Sequence, residues 1–146
     1  NNGKLTVNCD ITSVENAINN VYDGETTINE GSFKNTSDEH ALINSNNYEN
    51  GTPVLTINGG TFESVFTNVS YNNYSTGAVN GGTFTCTGGW HNIYVGGENG
   101  GCNVTYDASK CSFTSNGVKI QVNDWGVGNT NTVNNTSYSS TTNLLN

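Results

Sequence analysis

Thr56-Ile57-Asn58-Gly59-Gly60-Thr61-Phe62 decides the fold, because the chain returns to it. Ala78-Val79-Asn80-Gly81-Gly82-Thr83-Phe84 repeats it almost letter for letter. Thr27-Ile28-Asn29-Glu30-Gly31-Ser32-Phe33 is an upstream copy with one Gly replaced, and Ala108-Ser109-Lys110-Cys111-Ser112-Phe113 is a worn copy downstream. The four phenylalanines lie 29, 22 and 29 residues apart, inside the spacing of stacked repeat architectures. In each full copy Ile57 or Val79 ends an alternating run, glycine makes a corner, and Thr-Phe opens the next run. That reads as strand, tight corner, strand. A short strand that bends and returns every 22 to 29 residues is one coil of a β-solenoid. The sequence therefore predicts a single all-β domain over residues 1–146, a β-solenoid of four to five coils.

Upstream of the repeats, Leu5-Thr6-Val7-Asn8-Cys9 alternates as a short opening strand. The period then changes. Ile11, Val14, Ile18 and Val21 are spaced 3, 4 and 3, the spacing of one helical face. Thr12-Ser13-Val14-Glu15 fits a capping box. Residues 11–20 are thus expected to form a short helix laid over the N-terminal end, where open strand edges would otherwise invite further pairing. Residues 21–125 hold the coils, including the strands Ala41-Leu42-Ile43, Val65 to Val69, His91 to Val95 and Val118 to Val122. Residues 126–146, rich in Asn, Ser and Thr, read as a loose last coil or an ordered edge. With coils stacked about 4.8 Å apart, Asn29, Asn58 and Asn80 in equivalent corners would form a ladder of hydrogen-bonded amides.

Composition narrows the function classes. Four Lys and no Arg against 12 acids give a net charge of −8, which excludes a nucleic-acid footprint and disfavours phosphate clamps and anionic membranes. Charged residues are 11%, well under the typical ~25%, yet the periodic apolar and aromatic residues argue for an ordered body. No stretch has the length of a membrane-spanning helix. The opening Asn1-Asn2-Gly3 reads as a mature product or an excerpt, and the Asn-rich, Met-free composition suits an extracellular or cell-surface setting.

The run Ser13 to Ile28, followed by Gly31-Ser32-Phe33, resembles the opening of pectate-lyase-like right-handed parallel β-helices, where an Ala-Ile helix caps the barrel and an Asp-Gly turn leads into the first strand. The Asn-Gly-Gly-Thr-Phe corners resemble repeats of large bacterial surface proteins. The likeness covers roughly residues 5–125 and implies fold. The enzymes of that superfamily use Arg or Lys with clustered Asp; this chain has no Arg and no Asp-Asp pair, so their activity does not carry over.

Trp90, His91 and Tyr94, with Asp124 and Trp125, are the candidate binding face, and Tyr71 and Tyr74 would extend it. Aromatic rings stack on sugar faces while neighbouring Asn, Asp or Gln exchange hydrogen bonds with hydroxyls. The competing reading is that these rings pack on the solenoid flank or between subunits. His40 and His91 are far apart, Glu15, Glu30 and Glu63 are scattered, and Glu98 and Asp107 offer at most a loop calcium site. No catalytic pair, metal or cofactor is expected.

The four cysteines are an even count, which permits disulfides outside the cell. Cys102 and Cys111 fall within one coil and are the first candidates, with Cys86 a competitor. Cys9 lies coils away from the rest, beyond the ~7 Å reach of a disulfide, and is expected to be free or bonded to another chain. Asn-x-Ser/Thr sequons occur at Asn35, Asn50, Asn68, Asn73, Asn103, Asn134 and Asn135, about the number that 28 Asn and 33 Ser or Thr produce by chance. The expectation is a non-catalytic structural or adhesive module of a surface glycoprotein or filament. Its partners would be copies of itself stacked head to tail or a surface polysaccharide, without nucleic acid or membrane insertion. A carbohydrate-binding module is the alternative, and a degenerate polysaccharide lyase or hydrolase the more distant one.

Overall fold

Like residues one coil apart settle how the strands pair. Phe33, Phe62, Phe84 and Phe113 stand in register on neighbouring parallel strands, and their rings stack with centroids 5.0, 4.8 and 5.4 Å apart. The computed structural model describes residues 1–49, 51–124 and 128–145. Over these the chain is a parallel β-solenoid of five coils, each contributing one strand to each of three sheets.

The first coil holds β1 (Lys4–Asn8), β2 (Ile11–Ser13) and β3 (Ile18–Val21); the second holds β4 (Glu25–Glu30), β5 (Ser32–Asn35) and β6 (Ile43–Asn46). The third holds β7 (Val54–Ile57), β8 (Thr61–Ser64) and β9 (Thr67–Asn72), and the fourth β10 (Thr76–Val79), β11 (Gly82–Cys86) and β12 (His91–Gly96). The fifth holds β13 (Asn103–Tyr106), β14 (Cys111–Ser115) and β15 (Val118–Asn123). Sheet A runs β1-β4-β7-β10-β13, sheet B β2-β5-β8-β11-β14 and sheet C β3-β6-β9-β12-β15. The tail adds β16 (Asn131–Val133) in parallel to sheet A. It then reverses into β17 (Thr136–Tyr138) and β18 (Thr142–Leu144), which pair antiparallel with β16 and β15.

Columns of apolar residues fill the interior: Val7, Ile28, Ile57 and Val79 in sheet A, the phenylalanines in sheet B, and Ile18, Ile43, Val69, Ile93 and Ile120 in sheet C. Tyr71 enters the same core from β9 and donates its hydroxyl to the Leu55 carbonyl at 3.0 Å. Room for it comes from Gly77, where a Cβ would lie 1.9 Å from the Leu55 oxygen and 3.0 Å from the Tyr71 ring.

The repeated corner has a backbone reason. Gly31, Gly60 and Gly82 have φ of 125°, 112° and 133°, values that L side chains rarely adopt. This is the second glycine of the pair, so Glu30 can replace the first while the second stays. Beside these corners Asn8, Asn29, Asn58 and Asn80 form the amide ladder, with Nδ2 to Oδ1 distances of 3.0, 2.9 and 2.9 Å up the column.

The N-terminal helix is not formed, and the described residues contain no helix. Residues 11–20 instead supply β2 and β3, whose Ile11 pairs with Phe33 and Ile18 with Ile43. A helix of ten residues is marginal by itself, whereas two strands gain a ladder and a place in two apolar columns. Val14, assigned to the helix's apolar face, is 78% exposed, and the Ser13 hydroxyl bonds the Glu15 carbonyl at 2.8 Å in a turn.

The proposed disulfides are absent as well: Cys9, Cys86, Cys102 and Cys111 are all free. Sharing a coil does not bring two cysteines together. Cys102 precedes β13 and Cys111 opens β14, so a strand of about 13 Å separates them, beyond disulfide reach. Cys86 closes β11 at a different corner, its thiol donating to the Phe66 carbonyl at 3.1 Å. Cys9 is exposed at the opposite end of the solenoid from Cys111.

Candidate functional site

The offset between third-sheet strands brings aromatic side chains together. Thr67 pairs with His91 and Ser70 with Tyr94, so Phe66 and Trp90, each one residue earlier, fall one above the other. Their ring centroids are 4.9 Å apart at 50°. His91 lies 6.0 Å from Trp90 and 5.4 Å from Tyr94. Trp90 itself is 50% exposed at the turn into β12. The register continues into the fifth coil, where Tyr94 pairs with Gln121 and Gly96 with Asn123.

These residues line a groove of about 410 Å³ on the outside of sheet C, a size in the range of small-ligand sites. Phe66, Trp90, His91 and Tyr94 supply its rings; Asn72, Gln121 and Asn123 supply amides, and Thr67 and Ser70 hydroxyls. Phe66 and Trp90 stand just before β9 and β12, Asn72 and Asn123 close β9 and β15, and Tyr94 and Gln121 pair side by side between them, so the groove runs from aromatic to amide through a mixed middle.

Burial holds His91 below the usual imidazole range, opposed by a side-chain hydrogen bond with Gln121. The imidazole is therefore neutral at neutral pH. Its Nδ1 has no hydrogen-bond partner, nor has the Oγ1 of Thr67, which is only 1% exposed. Buried polar atoms are normally paired; Asn35, Ser64 and Asn68 carry such unpartnered atoms elsewhere, and these two are the ones that stand at the groove.

The sequence-nominated residues divide. Trp90, His91 and Tyr94 come together. Tyr71 does not join them: it alternates inward with Val69, and burial drives its phenol far above the usual range. Tyr74 sits at the next corner with φ of 64°, over Gly100, where a Cβ would lie 2.1 Å from its ring. Asp124 follows β15 and is half-buried, outside the lining, and Trp125 lies outside the described residues. Phe66, Thr67, Ser70, Asn72, Gln121 and Asn123 were missed. Extending the repeat register to the third strand of each coil would have found them.

The sequons separate by burial. Asn35 and Asn68 are buried, their amides donating to the Glu15 and His40 carbonyls and to Asn92 Oδ1 respectively, so the folded chain has no room for a glycan there. Asn73 is half-buried, with its amide bonded to Asn46 and to the Asn99 N–H. Asn103 and Asn135 are exposed, as is Asn134, which bonds the Tyr106 carbonyl; Asn50 lies outside the described residues.

Among the described residues no three His, Cys, Asp or Glu gather as metal ligands. Asp107 is occupied by Ser109 and Lys110, whose hydrogen bonds hold its carboxyl below the usual range. No helix among the described residues is long and apolar enough to cross a membrane. No family model, curated protein or solved structure matches the chain.

Proposed function

We propose that this chain is a non-catalytic, extracellular adhesive β-solenoid module that holds carbohydrate in the aromatic groove of sheet C. The observation that carries the reading is the half-exposed Trp90 ring, backed by Phe66 and flanked by His91 and Tyr94, with amides at the far end of the same groove. Rings of this kind stack on the apolar faces of sugars, and amides exchange hydrogen bonds with hydroxyls. The non-catalytic part is supported by the lining, in which no carboxylate stands to act as acid or nucleophile on a glycosidic bond. The extracellular part is supported by the Asn-rich, Arg-free composition. We also take the coil to be right-handed, as parallel crossovers are in about 98% of cases, which is the hand of the pectate-lyase-like helices that the opening resembles.

The test is a screen of immobilised polysaccharides and oligosaccharides, followed by Trp90→Ala. Binding that is lost in the variant while its far-ultraviolet spectrum is kept supports the reading. Product release from any bound polysaccharide would show an enzyme instead.

Self-assembly is a second reading, favoured by the N-terminal end. There β1, β2 and β3 each have a partner on one side only. Leu5, Ile11 and Ala17 surround a hollow of about 460 Å³ beside Cys9. Light scattering, with and without reductant, tests it; a monomer at all concentrations rejects it.

A further inference from the structure

We infer that the groove selects a neutral oligosaccharide, lying along the strands with rings stacked at the Trp90 end and hydroxyls bonded at the Asn72 and Asn123 end. This rests on the carbohydrate reading above and narrows it to a substrate class. From Thr67 to Asn72 the floor is one strand, about 17 Å of extended chain, and the lining residues change along it from aromatic to amide. A ligand that fills it therefore presents apolar faces at one end and hydrogen-bonding groups at the other, as a short run of sugar rings does.

Charge decides the class. A uronate or sulfated sugar needs a cation to offset the desolvation of its anion. The chain has no Arg and four Lys. Lys4 is paired with Glu25, Lys34 with Glu63 and Lys110 with Asp107, all away from the groove. Lys119 is not among the lining residues. His91 adds no charge, since burial keeps it neutral. The net charge of −8 further repels an acidic chain. What the groove does offer is a neutral polar lining: the amides of Asn72, Gln121 and Asn123, each already held by hydrogen bonds within the chain (to Asn44 and Ser70, to Asn143 and His91, and from Thr141), and the two polar atoms on Thr67 and His91 that have no partner.

The experiment is calorimetric titration of the whole chain with neutral gluco-, manno- and xylo-oligosaccharides and with oligogalacturonate, each at low and high salt. The expected result is binding of at least one neutral oligomer, insensitive to salt, weakened about tenfold or more by Trp90→Ala and largely kept in Trp90→Phe. Oligogalacturonate should give no heat. Tighter binding of oligogalacturonate, falling with salt, would overturn the inference while leaving carbohydrate binding in place. No binding by any oligomer, neutral or acidic, would overturn both.

Discussion

Replacing Phe62 by Ala tests how the coils are held together. Phe62 is fully buried and stacks on both sides, on Phe33 at 5.0 Å and on Phe84 at 4.8 Å, with interplanar angles of 8°. Truncating a buried Phe costs about 3–5 kcal/mol, and the loss of two stacked contacts, each about 0.5–1.5 kcal/mol beyond area, places this site at the upper end. Phe113 ends the same column, is only partly buried, and has one stacked neighbour, Phe84, at 5.4 Å and 20°. Phe113→Ala should therefore cost about half as much, roughly 2 kcal/mol. The assay is equilibrium unfolding in urea followed by far-ultraviolet circular dichroism. Since domains are stable by about 5–15 kcal/mol, Phe62→Leu serves as a milder variant, keeping apolar volume and losing only the stack. Equal losses at Phe62 and Phe113 would refute the idea that a continuous ring column couples the coils.

Thr67→Val removes a buried hydroxyl without a partner at nearly constant shape, so stability should rise by about 1 kcal/mol, while any sugar bound in the groove should bind more weakly. A thermal melt and a titration on one sample read both; a fall in stability would show that the hydroxyl is satisfied. Cys9 should react rapidly with a thiol reagent in the folded protein, and the mass should not change with reductant, since all four thiols are free. Cys102, buried and pushed up to about 12, should react only on unfolding. Because burial lowers the His91 value in the folded chain, the unfolded chain binds that proton more readily. Stability is then full above the unfolded value, about 6.5, and is lost as pH falls from there through the folded value. His91→Gln should flatten that part of a stability–pH curve; an unchanged slope would reject the assignment.

Legibility followed repetition. The Phe column and the corner glycines could be read from the sequence because each coil must place the same residue type against its neighbour, and only glycine fits the positive φ of the corner. Asn29, Asn58 and Asn80 were legible for the same reason, and Asn8 extends their ladder to a coil whose corner lacks the glycines. The first coil misled because a 3, 4, 3 spacing of apolar residues also arises when two short strands supply Ile11, Ile18 and Val21 and the turn between them leaves Val14 in solvent. Ile11 and Ile18 entered the columns that Phe33 and Ile43 continue, and tertiary pairing outweighed the local helical period. The sequence places Tyr71 with Tyr74 on the binding face, in a stretch where polar Asn72 and Asn73 follow it. Nothing local signals that Gly77, six residues later, vacates the space its ring fills.

The same logic explains why the groove was only half visible. A solenoid column tolerates like on like, so a functional residue is one that departs from its column without breaking it. In sheet C the position that carries Tyr94 is Asn19, Asn44, Ser70 and Gln121 in the other coils, a polar outward rank with a single aromatic member. His91 stands likewise beside Thr67 and Val118. The inner ranks on either side, Val69 with Ile93 and Ile120, stay apolar and hold the strands in register whatever the outer face presents. On the proposed reading, stability and recognition fall on opposite faces of the same strands. Substitution of the half-exposed Trp90 should change binding with little effect on the stability that the phenylalanine column supplies, and the reverse should hold for Phe62; Tyr94, only 8% exposed, should affect both. If instead Trp90→Ala destabilised the chain as much as Phe62→Ala did, the outer rings would be core, and the groove would lose its standing as a site.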